Sequence, residues 1–527
     1  MAPIARQPAP GHRSKALLLT ACSLALLVAW PCAVRADEPA AKATTETPAV
    51  ASGDLSLRQV VLAVRSGSRA IQAKRLDRDI AGAAVDRARG VFEPTFSAST
   101  TLSHERQRST PEEDLSRYGV GNQVGLYERD SRDFSAGISA LVSTGAKLEA
   151  KATLSEFLTN ITRNLRQNGL YDHRAFYGVT LTQPLARDSG SEVTTAKLRM
   201  AELDDAAAAQ SSLDTESSVV AEACMAYLDL ALAQERMGIA LERVRMGEQV
   251  LAEAKSRVRQ GRAPESELWD VENALARYHA AHSEAEQQRL ERMNRLRTLL
   301  NVSGPAQAGA LRAADALPPT RTELPTATRG IQTAIENRTD LKGKKLALER
   351  ETVQLSFARN QLLPRVDLVA SLGFNGLDTS RLRALDPDRN FHYPSYSIGV
   401  QVSIPLGGNQ QAKADLRSAL ARRQDAEQSI QALEVAIAND VETSVGLIAS
   451  AARRFELTSD VARREQRQLD LDRRRMGEGR GSLREVLVSQ ERASSAKLQM
   501  LDQQTQYAKA DVLLDAAQGT LLGRFQP

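Results

Sequence analysis

The spacing of apolar and polar positions switches between two periods along this chain. From Val220, the positions Ala223, Tyr227, Leu230, Gln234, Met237, Leu241, Val244, Glu248, Leu251, Lys255 and Val258 alternate by three and four, a heptad seam with three polar interruptions. A second stripe, Ala226, Ala233, Ala240, Gly247 and Ala254, repeats every seven residues and is uniformly small, as a helix needs where another helix approaches closely. Far downstream Ile430, Leu433, Ile437, Val441, Ser444, Ile448, Ala451 and Phe455 repeat the seam. Elsewhere the period is two. Phe96, Ala98, Thr100 and Leu102 alternate with Ser97, Ser99 and Thr101, and Tyr177, Val179, Leu181, Gln183 and Leu185 alternate with Gly178, Thr180 and Thr182. Val366, Leu368, Ala370, Leu372 and Phe374, then Tyr396, Ile398, Val400, Val402 and Ile404, show the same alternation. Strands of about ten residues with one apolar and one polar face are the signature of a membrane barrel.

These elements occur in two copies. Residues 68–95 align with 338–365, so that Pro94 falls on Pro364, and Gln183-Pro184-Leu185 matches Ile404-Pro405-Leu406. Residues 261–272 match 479–490, each opening on a glycine and carrying an acid six positions on, Glu267 and Glu485. Pro184 and Gly261 are separated by nearly the same length as Pro405 and Gly479, and about 70 helical residues at 1.5 Å each span roughly 105 Å, most of a periplasm. Gly261 and Gly479 stand where each long helix should end and reverse, because glycine tolerates a left-handed cap. Pro264 suits the first turn of a return helix, expected over roughly 265–302, with its counterpart over 483–520. Pro94, Pro184, Pro364 and Pro405 mark four junctions between strand and helix, each a candidate pivot between barrel and tunnel.

The copies differ in one place. Pro94 and Pro184 enclose far more chain than Pro364 and Pro405, and the excess holds an apparent hairpin, Phe134 to Val142 and Leu148 to Leu154, around Thr144-Gly145-Ala146. It suits either an extracellular projection or two additional barrel strands. Without it the chain has four strands, which cannot close a barrel, and an open edge in lipid leaves backbone groups unpaired at several kcal/mol each. Oligomerisation is therefore required, and a dimer or a trimer meets this argument equally.

Composition narrows the class. Residues 1–36 read as a signal peptide, with Arg6, Arg13 and Lys15 ahead of an apolar run from Ala16 to Trp30 and a cleavage site at Val34-Arg35-Ala36. That run is shorter than the roughly 20 residues of a spanning helix, so membrane insertion must use strands. Cys22 lies mid-run, and cleavage after Ala36 is expected in preference to lipidation there. Cleavage leaves Cys224 alone, a small buried hydrophobe on a helix, with no intrachain disulfide. It also removes four of the 69 basic residues and no acidic one, which takes the formal charge of +4 to zero and gives no sign of a nucleic-acid partner. Residues 37–53 have the composition of a disordered leader. The remainder divides into a first repeat over 54–302, a connector over 303–328 and a second repeat over 329–527.

No catalytic chemistry emerges. The six histidines are scattered, with no HExxH pair, phosphate loop or nucleophile elbow, so no cofactor or metal is expected. A secreted coiled-coil structural protein would also account for the helices, and would be released from the surface without forming a pore.

The duplicated helix–proline–strand segments, the two strand exits at Pro184 and Pro405 and the two tips at Gly261 and Gly479 together resemble the TolC family of outer-membrane channels over nearly the whole mature chain. The resemblance implies an α+β membrane protein, a trimeric β-barrel continuous with an α-helical coiled-coil tunnel. It further implies a homotrimer with a 12-stranded barrel and 12-helix tunnel in the outer membrane of a Gram-negative bacterium. The duct would dock through its periplasmic tips to an adaptor protein and an inner-membrane pump of the RND or ABC type. In that family acids after the turns, with a tyrosine and an arginine, latch the tunnel shut. By position the acids match Glu267 and Glu485 and the adjoining hydroxyl matches Ser266, whereas the tyrosine and arginine positions hold Met476 and Gly481. A ring of three Glu485 carboxylates, with Arg475, Arg480 or Arg484 paired to Glu267, is the version of the latch this sequence allows. Gly261, Ala263, Gly479 and Gly481 provide the small surface an adaptor backbone can approach.

Overall fold

The structure, a computed structural model, describes residues 54–118, 125–166, 170–261, 264–302, 311–317, 326–478 and 480–525. The expected signal peptide and leader, most of the connector, Ala263 and Gly479 lie outside the described residues.

In chain order, β1 (Asp54–Leu55) leads into α1 (Leu57–Gly67) and α2 (Arg69–Arg89). Four strands follow, β2 (Thr95–Arg108), β3 (Leu126–Leu141), β4 (Lys147–Thr159) and β5 (Asp172–Pro184). The first long hairpin is α3 (Ala196–Arg259) and α4 (Glu265–Leu300). After β6 (Arg312–Ala313), α5 (Ala327–Asn337) and α6 (Thr339–Asn360) open the second copy. It continues through β7 (Arg365–Asp378) and β8 (Pro394–Ser403) to a second hairpin, α7 (Gln410–Gly477) and α8 (Leu483–Ala517), and a last turn, α9 (Leu521–Arg524).

Both arms form because their apolar periods hold without proline or a capping sequence over 64 and 68 residues. At 1.5 Å per residue they are roughly 100 Å long. The small stripe of α3 is its buried line: Ala226, Ala233, Ala240, Gly247 and Ala254 all lie inside. A Cβ on Gly247 would stand 3.0 Å from Leu275 and 3.1 Å from Tyr278 of α4, so the return helix rests directly on that backbone. The heptad seam holds in its upper half, where Ala223, Tyr227 and Leu230 are buried with Val64, Ile71, Leu296 and Leu300. Its lower half departs from expectation: Glu248 and Lys255 are exposed and Val250 and Ala254 take the inside, because the small stripe lets the helices approach more closely than the larger seam residues would. Gln234, a polar interruption in the seam, accepts the Ala313 amide of β6 at 3.1 Å.

The parallel pair β1–β6 is fastened to α3 by one tyrosine. The Tyr227 hydroxyl donates to Leu55 O at 3.0 Å, stands 3.2 Å from Asp315 Oδ2 and accepts the Asp315 amide at 3.1 Å. Burial pushes its pKa up to about 12. Cys224, alongside in α3, is fully buried, and burial pushes its thiol up to about 12. It behaves as the small hydrophobe expected of it.

All long strands lie in one antiparallel sheet of six, ordered β2-β3-β4-β5-β7-β8. This answers the question the sequence left open about the extra hairpin. Β3 and β4 are not a projection; they are sheet members, hydrogen-bonded to β2 on one side and β5 on the other. The chain thus supplies six long strands to one sheet, within the four or more expected of it. No helix among the described residues is long and apolar enough to cross a membrane.

Candidate functional site

The wall of the sheet is built from rows of residues in register. One row crosses all six strands as Phe96, Ile138, Ala150, Val179, Leu372 and Tyr396, and another runs Ala140, Leu148, Leu181, Ala370 and Ile398. Most of these side chains are exposed, including Ile138, Leu148 and Ile398. Toward the outer end the segment between β7 and β8 lies over this face, with Phe391 against Phe374 and Tyr177 donating to Leu385 O; the wide exposed remainder belongs against lipid. The opposite face is hydroxyl-rich. Thr95–Ser139, Ser99–Ser135, Ser103–Ser131 and Ser371–Ser397 meet as cross-strand pairs at 2.9, 2.7, 2.6 and 2.8 Å. Phe176 lies on this polar face over Gly178 and Gly373, where either added Cβ would collide with its ring.

The four prolines sit at one end of the sheet. Pro94 and Pro364 immediately precede β2 and β7, Pro184 is the last residue of β5, opposite Asp367, and Pro405 follows β8. A network the sequence did not disclose holds this end to the helices. The Asp188 amide donates to Asn360 Oδ1 at 2.8 Å, Asn360 Nδ2 donates to Ala186 O at 3.3 Å, and Gln361 Nε2 donates to Asp188 Oδ1 at 2.6 Å. Asp188 has φ +64 and Gly190 φ +93. In the second copy Gly408 and Asn409 make the same kind of left-handed step, and Asn409 donates to Gln361 O at 3.1 Å. Left-handed residues after a strand-ending proline are the signal that could have found this strap.

At the opposite end of the hairpins, Gly261 ends α3 in the left-handed conformation (φ +69). Pro264 is the cap residue ahead of α4, one place before the first turn where it was expected. Ser266 and Glu267 follow in that first turn. The second tip is more closely tied. Ser482 and Glu485 form a reciprocal cap, the Glu485 amide donating to Ser482 Oγ at 3.2 Å and the Ser482 amide to Glu485 Oε2 at 3.2 Å. A Cβ on Gly481 would lie 3.1 Å from the Met476 amide, so a side chain there would crowd the turn. Arg480 is highly exposed and lies 3.7 Å from Glu478, while Arg475 reaches Asp472 at 4.0 Å. Among the described residues no ion pair joins Glu267 to Arg475, Arg480 or Arg484 within one chain. One turn above, Asp472 accepts from Ser489 Oγ and from Gln468 Nε2 at 3.0 Å, and these hydrogen bonds, Ser489's first, hold its carboxyl below the usual range. Arg473 donates to Gln490 at 2.7 Å. Trp269, 60% exposed in the first turns of α4, is a further tip residue that sequence patterning passed over; its signal was being the one tryptophan outside the expected signal peptide.

Residues 330–520 match the family described as Outer membrane efflux protein. The chain is 24% identical over 367 residues to the proteases secretion protein PrtF of Dickeya chrysanthemi, covering 65% of this chain and 76% of that one. Its fold is similar to that of the CmeC outer membrane channel of Campylobacter jejuni, with a TM-score of 0.62 at 14% identity over 88% of this chain and 86% of that one. It is likewise similar to a Pseudomonas aeruginosa membrane protein, with a TM-score of 0.60 at 18% identity over 89% and 94%. The fold is thus that of the outer membrane channels it resembles, and the second half of the chain matches the Outer membrane efflux protein family.

Proposed function

We propose that three copies of this chain form the exit duct of a tripartite efflux or type I secretion system. Cargo would pass from an inner-membrane RND or ABC pump through a periplasmic adaptor docked on the hairpin tips. The observation that carries this reading is the continuity of one chain from a sheet with a wide exposed apolar face to two hairpins of matching length. Among the described residues, edge strands β2 and β8 are each paired on one side only, and in lipid such edges must be paired by neighbouring copies. The first test is the detergent-corrected mass of protein extracted from outer membranes. Three chains per particle is the expected result; a monomer that leaves the membrane without detergent overturns the reading.

The tips are the proposed gate and adaptor contact. Glu267 and Glu485 stand in the first turns of the two return helices, where three copies around one axis would gather six carboxylates. Glu485→Gln keeps the capping geometry, since glutamine serves at that position, and removes only charge. Together with Glu267→Gln it should raise bilayer conductance and weaken cation preference. Unchanged conductance removes the carboxylate ring from the reading and leaves the duct. Adaptor docking should change Trp269 fluorescence.

A further inference from the structure

We propose that the closed assembly has an 18-stranded wall, three chains contributing six strands each, as wide as the helical tunnel beneath it. The proposal rests on the trimeric reading above and departs from the 12-stranded wall that the family resemblance implies.

Three observations place β3 and β4 in the wall. The apolar rows run through them without interruption: Ile138 and Ala150 stand between Phe96 and Val179 on the lipid side, and Ser135 and Thr153 stand on the polar side. A hairpin standing in water would have no reason to keep its apolar positions in the lipid row. Its inner turn is seated on the strap below the sheet: the Gly190 amide donates to Thr144 O at 3.2 Å, and a Cβ on Gly145 would fall 2.5 Å from Asp188 O. Toward the outer end, Glu156 of β4 is 2% exposed, is ion-paired with Arg381, from the segment between β7 and β8, and stands 3.3 Å from His173 Nδ1 of β5. The hairpin is thus fastened at both ends to parts of the chain that belong to the channel.

Girth gives an independent argument. Strands about 4.8 Å apart and tilted about 40° each occupy about 6.3 Å of circumference, so six span about 38 Å. Beneath the sheet the two arms run beside α2 and α6, and four helices packed about 9 Å apart span about 36 Å. Four strands would span only about 25 Å and force the wall to narrow above the tunnel. For three chains, 18 strands close at about 36 Å between backbones and 12 helices at about 34 Å, against about 24 Å for 12 strands. The outer mouth then has about 2.3 times the cross-section of a 12-stranded one. Its hydroxyl-rich lining passes bulky hydrated cargo without selecting it, and the size limit lies at the hairpin tips.

The test uses the full-length protein in outer-membrane vesicles with single cysteines at Ile138, Ala150, Ser135 and Thr153; Cys224 is buried and gives little background. A charged, membrane-impermeant maleimide should label Ser135→Cys and Thr153→Cys and fail to label Ile138→Cys and Ala150→Cys. Equal labelling of all four places the hairpin in water and overturns the proposal. Imaging of unmodified particles along the channel axis provides the second measurement: a wall about 36 Å across supports it and one about 24 Å across overturns it. Particle mass separates the two readings. Three chains with a narrow wall defeat the 18-stranded barrel alone, whereas two chains, closing 12 strands, defeat the trimer as well.

Discussion

The two hairpins have nearly equal length and different surroundings. Arm α3 is enclosed within its own chain, with buried residues on several faces against α1, α4 and α8. Arm α7 buries a narrower seam, Ile437, Val441, Ile448 and Ala451, and leaves Leu447, Leu457 and Val461 in the open. One arm is a completed core; the other keeps an exposed apolar strip that the proposed trimer would cover. The sheet shows a related asymmetry, the first copy supplying four strands and the second two.

The sharpest way to break this comparison is to remove one buried leucine from the first arm and one exposed leucine from the second. Leu230 is fully buried, so Leu230→Ala should cost about 2–5 kcal/mol and lower the melting temperature of every species measured by circular dichroism. Leu457 is 67% exposed, so Leu457→Asp should leave the chain's own melting nearly unchanged and reduce the three-chain fraction in detergent-corrected mass. Equal effects on chain stability would show that both arms are cores.

A smaller contrast comes from two helical glycines. Gly247→Leu must push Leu275 and Tyr278 away from the α3 backbone, an overpacking cost of about 1–3 kcal/mol in thermal unfolding. Gly446 on α7 has nothing within 4 Å of the place a Cβ would take, so Gly446→Ala should gain about 0.5–1 kcal/mol of helix propensity.

Much of this was legible because it is periodic. Arms, strands and their duplication follow from spacings of seven and two, and the junction prolines are local punctuation. What the sequence withheld is long-range. The alternation in 134–154 declares a hairpin, but whether it joins the sheet depends on Thr95 meeting Ser139 and Ala150 meeting Val179, pairings no local pattern encodes. The strap at Asp188 depends on Asn360 and Gln361 in the other repeat. In α3, two competing stripes were both visible, and only packing decided that the small one lies inside in the lower half. At the tip Glu485 was read as a charge, and its capping bond to Ser482 adds a local structural task to the same carboxylate.

The tips carry the third contrast. Helix α8 begins with the Ser482–Glu485 cap, whereas α4 begins at Pro264 without a side-chain cap. Ser482→Ala should cost about 1 kcal/mol and raise hydrogen exchange in the first turn of α8. The corresponding change beside the first tip, Ser266→Ala, removes no cap and should leave exchange in α4 unchanged.

The smallest expected effect is a pH dependence confined to the second tip. Hydrogen bonds from Ser489 and Gln468 lower the folded-state pKa of Asp472. A carboxyl with a depressed folded pKa contributes stability that is fully present above its unfolded value, about 3.9, and is lost as pH falls through the lower folded value. Hydrogen exchange at the α7–α8 tip should therefore accelerate as the pH is taken below about 4, after correction for the intrinsic exchange rate, with no matching change at the α3–α4 tip. Other carboxylates titrate in the same window, so the comparison is with Asp472→Asn, which cannot lose a proton. In that variant the tip should already exchange faster at neutral pH and show a shallower acid dependence. If its acid dependence is as steep as that of the unaltered chain, the sensitivity belongs to other groups and the Asp472–Ser489 bond does not hold the second tip together.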